Sequence, residues 1–162
     1  MKIVVYANSP TAPTGFGTVI REIFGGLVAR RFCVPDDLTF CGINYHGEPH
    51  DLPFRIWPAQ VANDPDAFGR QRFAQNLLAN KWPCEVLFLL EDHFTLNHLI
   101  AFPDGRIEPF LPGLLRRLRE QVQNGRPPFQ VVQYLPIDAE SVRPEWLTHL
   151  TDYVDAPVAY TH

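Results

Sequence analysis

A chain of 162 residues with 46% hydrophobic and 20% charged residues has the composition of one globular domain, with no low-complexity tract. Its net charge of -4 argues against broad attraction to nucleic acid or to an acidic membrane. Its three cysteines, odd in number and without a CxxC pair, fit reduced thiols in a cytoplasm rather than a disulfide framework, and the apolar run after Lys2 is too short for a secretory signal or a transmembrane segment.

Residues 3–7 form a continuous apolar run that reads as a buried parallel strand. A loop stiffened by Pro10 and Pro13 follows, and it delivers Gly15, Phe16 and Gly17 to a helix over residues 18–29. The apolar face of that helix carries Val19, Ile20, Ile23, Phe24, Leu27 and Val28. Residues 38–43 form a second strand, and residues 54–57 a short third strand between Pro53 and Pro58. Asp64 and Pro65 have the chemistry of a helix start, an acid followed by proline, for a helix through Phe68, Phe73, Leu77 and Leu78 toward Asn80. Residues 85–90 give a fourth strand that ends in the acidic tip Glu91-Asp92-His93. The next helix, residues 109–123, has a leucine stripe; Arg116, Arg117 and Arg119 lie mainly off it, most simply as a solvated face and otherwise as a phosphate patch. Residues 129–135 form a strand, a short helix opens at Pro144, and residues 156–161 form the last strand. The alternation predicts an α/β fold, Rossmann-like, with a mainly parallel sheet and helices on both faces. Because His162 directly follows an apparent core strand, where another helix would normally cover it, residues 1–162 are expected to be a single domain, a truncated polypeptide or the amino-terminal part of a longer one.

Function is concentrated between the first strand and the first helix. Glycines there let backbone N–H groups face a ligand at a helix N-terminus, which favours an anion or a polyhydroxylated molecule. A tight loop with no ligand requires the same glycines. The dinucleotide fingerprint G-x-G-x-x-G fails, since Ile20 stands at its third glycine and Asp36 and Asp37 precede the second strand. Neither G-x-S-x-G nor a P-loop is present. His46, Glu48, His50 and Asp51 offer zinc-type side chains on one loop without helical presentation or a cysteine pair, so no metal is expected.

The run from Ser9 to Gly17, followed by Arg21-Glu22-Ile23 and Leu27, resembles the start of retaining glycosyltransferases of the GT-B fold, the glycogen-synthase-like group 1 family. Gln133-Tyr134-Leu135-Pro136-Ile137-Asp138 is similar to that family's strand ending in a proline and an acid, and Val158-Ala159-Tyr160-Thr161 to its strand ending in Tyr-Ser or Tyr-Thr. The resemblance implies the amino-terminal, acceptor-binding half of a GT-B enzyme that transfers a sugar with retention. The nucleotide-sugar donor would be held mostly by a missing carboxy-terminal domain carrying paired glutamates. No cofactor or metal is implied, the nucleotide sugar being a substrate, and the isolated chain is expected to be inactive. Gly15, Phe16, Gly17 and Asp138 become substrate-binding candidates, and Asp92 and His93 catalytic candidates at the fourth strand's tip. Two alternatives stay open: Asp92 and His93 as a solvent-exposed capping pair, and Asp138 as a turn-stabilising residue. Tyr160 and Thr161 read as structural. The competing function is a non-catalytic sugar- or phosphate-binding α/β module.

Overall fold

The computed structural model describes residues 1–136 and 144–160. In chain order the elements are β1 (Ile3–Asn8), α1 (Gly15–Ala29), β2 (Leu38–Ile43), β3 (Ile56–Pro58), α2 (Arg70–Leu78), β4 (Val86–Leu90), α3 (His93–Leu96), β5 (Leu99–Ala101), β6 (Ile107–Pro109), α4 (Phe110–Gln123), β7 (Gln130–Pro136), α5 (Thr148–Tyr153) and β8 (Ala156–Tyr160). Six strands join in the order β3-β2-β1-β4-β7-β8, and every pairing is parallel. All six carboxyl ends therefore lie along one edge. The chain builds outward from β1 in one direction and from β4 in the other, so the strand order reverses between these two neighbours.

Burial on both faces explains why the strands read as unbroken apolar runs instead of alternating ones. Ile3, Val5 and Ala7 pack with Ile20 and Phe24 of α1 and with Phe40 and Phe54. On the other face, Val4, Tyr6, Leu87, Leu89 and Val131 meet Phe73 and Leu77 of α2 and the leucine stripe of α4. The Tyr6 hydroxyl donates to the Phe68 carbonyl at 2.9 Å, so this buried phenol has its partner. Among the described residues no helix is long and apolar enough to cross a membrane.

Helix α1 starts at Gly15, three residues ahead of the expected helix, because Thr14 caps it. The Thr14 side chain accepts a hydrogen bond from the Gly17 N–H at 3.0 Å, and Thr14 itself is extended. Thr14→Ala is expected to remove about 1 kcal/mol of stability. A melting temperature about 2–4 °C lower is the readout; an unchanged one would mean that water replaces the cap.

Three expectations are corrected. The helix assigned to Asp64 begins instead at Arg70. Asp64 closes a turn by accepting from the Asp66 N–H at 2.9 Å, and the Asp66 carboxylate collects the N–H groups of Phe68 and Gln71 and the Arg70 Nε. Gly69, at φ 62, then turns the chain into α2 against the Ala59 carbonyl, where no Cβ fits. The third strand is Ile56–Pro58, while Phe54 is buried in the core without strand pairing. The arginines of α4 are not a solvated face. Arg117, 8% exposed, donates to Asp104 at 2.6 Å, to Glu108 and to the Gly113 carbonyl, and lies 3.9 Å above the Phe102 ring. Arg119 holds the Phe129 and Tyr153 carbonyls and Asp155. These arginines brace the β5–β6 hairpin and the entry to β8.

Candidate site at the carboxyl edge

The β1–α1 loop folds onto itself. The Ser9 N–H donates to Ile43 of β2 at 2.7 Å, the Ala12 N–H to the Ser9 carbonyl at 2.9 Å, and the Thr14 N–H to the Ala12 carbonyl at 2.8 Å. That closure separates the two glycines. A Cβ on Gly17 would lie 2.5 Å from the Ala12 oxygen and 2.6 Å from the Ser9 oxygen, and its N–H is taken by Thr14. Gly17 thus permits the loop to pack. Gly15 faces open space, and the first-turn N–H groups of Gly15 and Phe16 have no acceptor among the described residues. Of the three expected ligand-facing positions, these two leave backbone donors without an acceptor among the described residues at a helix N-terminus.

At the tip of β4, beside β1, lies a group that spacing alone did not single out. Glu91 is 2% exposed and accepts from Asn8 Nδ2 at 2.5 Å, while Asn8 Oδ1 accepts from Asn44 Nδ2 at 2.8 Å. Three side chains from the ends of β2, β1 and β4 thereby span the point where strand order reverses. Asn44 sits at φ 60, a left-handed conformation that asparagine tolerates better than most residues. Burial pushes the Glu91 carboxyl up to about 7, opposed by the Asn8 amide and reinforced by the Asp92 charge. A buried acid whose pKa is raised toward neutrality, at the point where strand order reverses, is a candidate functional group.

Asp92 and His93 follow directly. Asp92 is exposed, and its carbonyl accepts from the Leu96 N–H at 3.0 Å as α3 begins. His93 is 7% exposed, so its ring lies inside the fold and not on the solvent side of a capping pair. Asp92, His93 and the α1 N-terminus share the carboxyl edge, on loops that leave the adjacent strands β4 and β1. Asp138 lies outside the described residues, as does Thr161. His46 and His50 do not join a ligand set: among the described residues no group of three or more His, Cys, Asp or Glu could hold a metal ion.

Asn8, Asn44 and Glu91 are not among the site residues expected from sequence, where Glu91 stands only as part of an acidic tip. Their signal was polar side chains placed immediately at the ends of fully apolar strands. The strand order and this edge define a Rossmann-like α/β domain. No protein-family model, curated protein or solved structure matches the chain.

Proposed function

We propose that this chain is the acceptor-binding half of a retaining, nucleotide-sugar-dependent glycosyltransferase. The observation that carries the reading is the position of the Ser9 to Gly17 loop, on which the resemblance rests. It emerges where strand order reverses, beside the β4 tip, with the Gly15 and Phe16 N–H groups at the N-terminus of α1 and without an acceptor among the described residues. In glycosyl transfer an acceptor hydroxyl replaces the nucleoside diphosphate at the anomeric carbon. The bond from that carbon to the phosphate oxygen breaks, and the hydroxyl proton leaves with the diphosphate. Negative charge grows on the departing phosphate, and fixed backbone donors stabilise it without reorganising. The site supplies one wall for this chemistry. A second domain would hold the nucleotide and exclude water on closure. Under this reading exposed Asp92 faces the acceptor, buried His93 belongs to the same β4 tip, Asp138 is a substrate-binding residue, no metal is needed, and the free cysteines Cys33, Cys41 and Cys84 suit a cytoplasmic location.

The test compares the 162-residue chain with a polypeptide that joins it to a donor-binding domain, using a panel of nucleotide sugars in the presence of EDTA. Release of nucleoside diphosphate coupled to sugar transfer is expected from the two-domain protein only. Robust transfer by the short chain alone would overturn the division of roles. Ligand binding without transfer in any assembly would favour the non-catalytic binding module.

A further inference from the structure

Farther along the same edge, two strands from β1, the loops after β2 and β3 border an open cleft of about 410 Å³ lined by His46, Pro58, Gln60, Val61, Ala62 and Asn63. Its volume is in the range of small-molecule sites. With neighbouring strands roughly 5 Å apart, it lies about 10 Å along the edge from β1.

The lining has a specific chemistry. Among the described residues its lining contains no Lys, Arg, Asp or Glu, and the charged groups bonded to it meet backbone: Arg72 donates to the Pro58 carbonyl at 2.9 Å and Glu48 accepts from the His46 N–H at 2.8 Å. A phosphate site draws on guanidinium or ammonium groups, and a cation site on carboxylates. Here the polar groups are the carboxamides of Gln60 and Asn63 and the imidazole of His46. Each carboxamide offers donors beside an acceptor, and a neutral imidazole offers one nitrogen of each kind. That combination matches hydroxyl groups, which also donate and accept. Pro58, Val61 and Ala62 supply an apolar surface for the C–H face of a ring.

The walls are held in place. The Ala59 N–H donates to the Gly42 carbonyl of β2 at 3.0 Å, and the Asp64 N–H closes the turn on the Val61 carbonyl at 3.1 Å. Asn63 occupies the left-handed region at φ 65. The His46 N–H donates to Glu48 Oε2 at 2.8 Å, and the Thr11 hydroxyl reaches Glu48 Oε1 at 3.4 Å. Glu48 therefore ties the wall of this cleft to the β1–α1 loop.

We propose that the cleft is a subsite for one neutral sugar unit of the acceptor, so that the acceptor is a neutral glycan or glycoside reaching from His46, Gln60 and Asn63 toward the α1 N-terminus. This assignment rests on the glycosyltransferase reading. It identifies the acceptor class by the absence of Lys, Arg, Asp and Glu side chains from the lining and by the pairing of donors with acceptors there.

The experiment is an NMR titration of the 162-residue chain, following the side-chain amide signals of Gln60 and Asn63. Maltose, cellobiose and lactose are the probes, with glucose 6-phosphate and inorganic phosphate beside them. At least one neutral disaccharide is expected to shift both signals saturably, and inorganic phosphate is expected to leave them in place. Gln60→Ala and Asn63→Gly should each weaken that binding about tenfold while the fold is retained, since glycine keeps the left-handed backbone at position 63. No shift with any of the disaccharides, a larger response to the phosphorylated sugar, or unchanged affinity in both variants overturns the subsite. The outcome is separable from the fate of the enzyme reading. Saccharide binding lost in the variants, with no transfer by any two-domain assembly, retains the subsite and removes the reaction. Transfer with an acceptor KM that neither substitution alters retains the reaction and removes the subsite.

Discussion

Replacing Glu91 by glutamine is expected to stabilise the protein at pH 8 by about 3 kcal/mol while leaving its stability near pH 4 almost unchanged. The buried carboxyl titrates at about 7 in the folded protein, against an ordinary value of 4.5. A group whose folded value is raised binds its proton more tightly in the folded state. Its contribution is therefore complete below about pH 4.5, declines as the pH rises, and is lost above about pH 7. Each pH unit between those limits corresponds to about 1.4 kcal/mol. Glutamine retains an oxygen to accept from Asn8 Nδ2 but never ionises, so the variant should lack this decline. Urea unfolding of both proteins at intervals from pH 4 to pH 8 gives the comparison. Asp37, Glu48, Asp104 and Glu108 have lowered values and act in the opposite sense at acid pH, but they do so in both proteins and cancel in the difference. Parallel profiles would mean that Glu91 titrates alike folded and unfolded, and would remove the ground for giving it a role at the strand-reversal point. The predicted decline places a stability penalty at neutral pH on a carboxylate in the candidate site, as expected where function sets the choice of residue.

The six-stranded sheet was legible because both of its faces are buried, which makes each central strand an apolar run that needs no knowledge of its partners. Strands of three residues carry no such signal, and β3 was anticipated only from the prolines that flank it. The β5–β6 hairpin was missed for that reason, and with it the acids Asp104 and Glu108 that receive Arg117. The start of α2 was misread because the acid-proline pair at 64 and 65 is also a turn signal, and only the close approach of Gly69 to Ala59 decides between the two. At the site, the β1–α1 loop could be found from its glycines and prolines. The Asn44-Asn8-Glu91 chain could not, since it joins residues 36 and 83 positions apart and exists only once β2, β1 and β4 are ordered side by side. Spacing likewise gave Gly15, Phe16 and Gly17 one shared role, whereas the carbonyls of Ser9 and Ala12 assign Gly17 to the loop itself.

That separation gives a contrast between two substitutions two residues apart. Gly17→Ala is expected to lose about 3 kcal/mol, because its Cβ would meet two backbone oxygens at 2.5 and 2.6 Å, and backbone cannot rotate aside as a side-chain tip can. Either the loop opens or the first turn of α1 shifts, and both break the Thr14 cap. Gly15→Ala meets nothing within 4 Å and replaces a poor helix former at the first helical position, so stability should be unchanged or higher by up to about 1 kcal/mol. Thermal and urea unfolding measure both. A well-tolerated Gly17→Ala would show that the loop does not pack as described. Function should divide in the reverse direction. If a ligand approaches the Gly15 and Phe16 N–H groups, Gly15→Val keeps the fold but places a branched side chain in the approach path. In the two-domain protein it should then lower turnover about tenfold or more, with no matching loss of stability. Full turnover in a well-folded Gly15→Val protein would exclude the α1 N-terminus as a ligand contact, leaving Gly15 as well as Gly17 to the architecture of the loop.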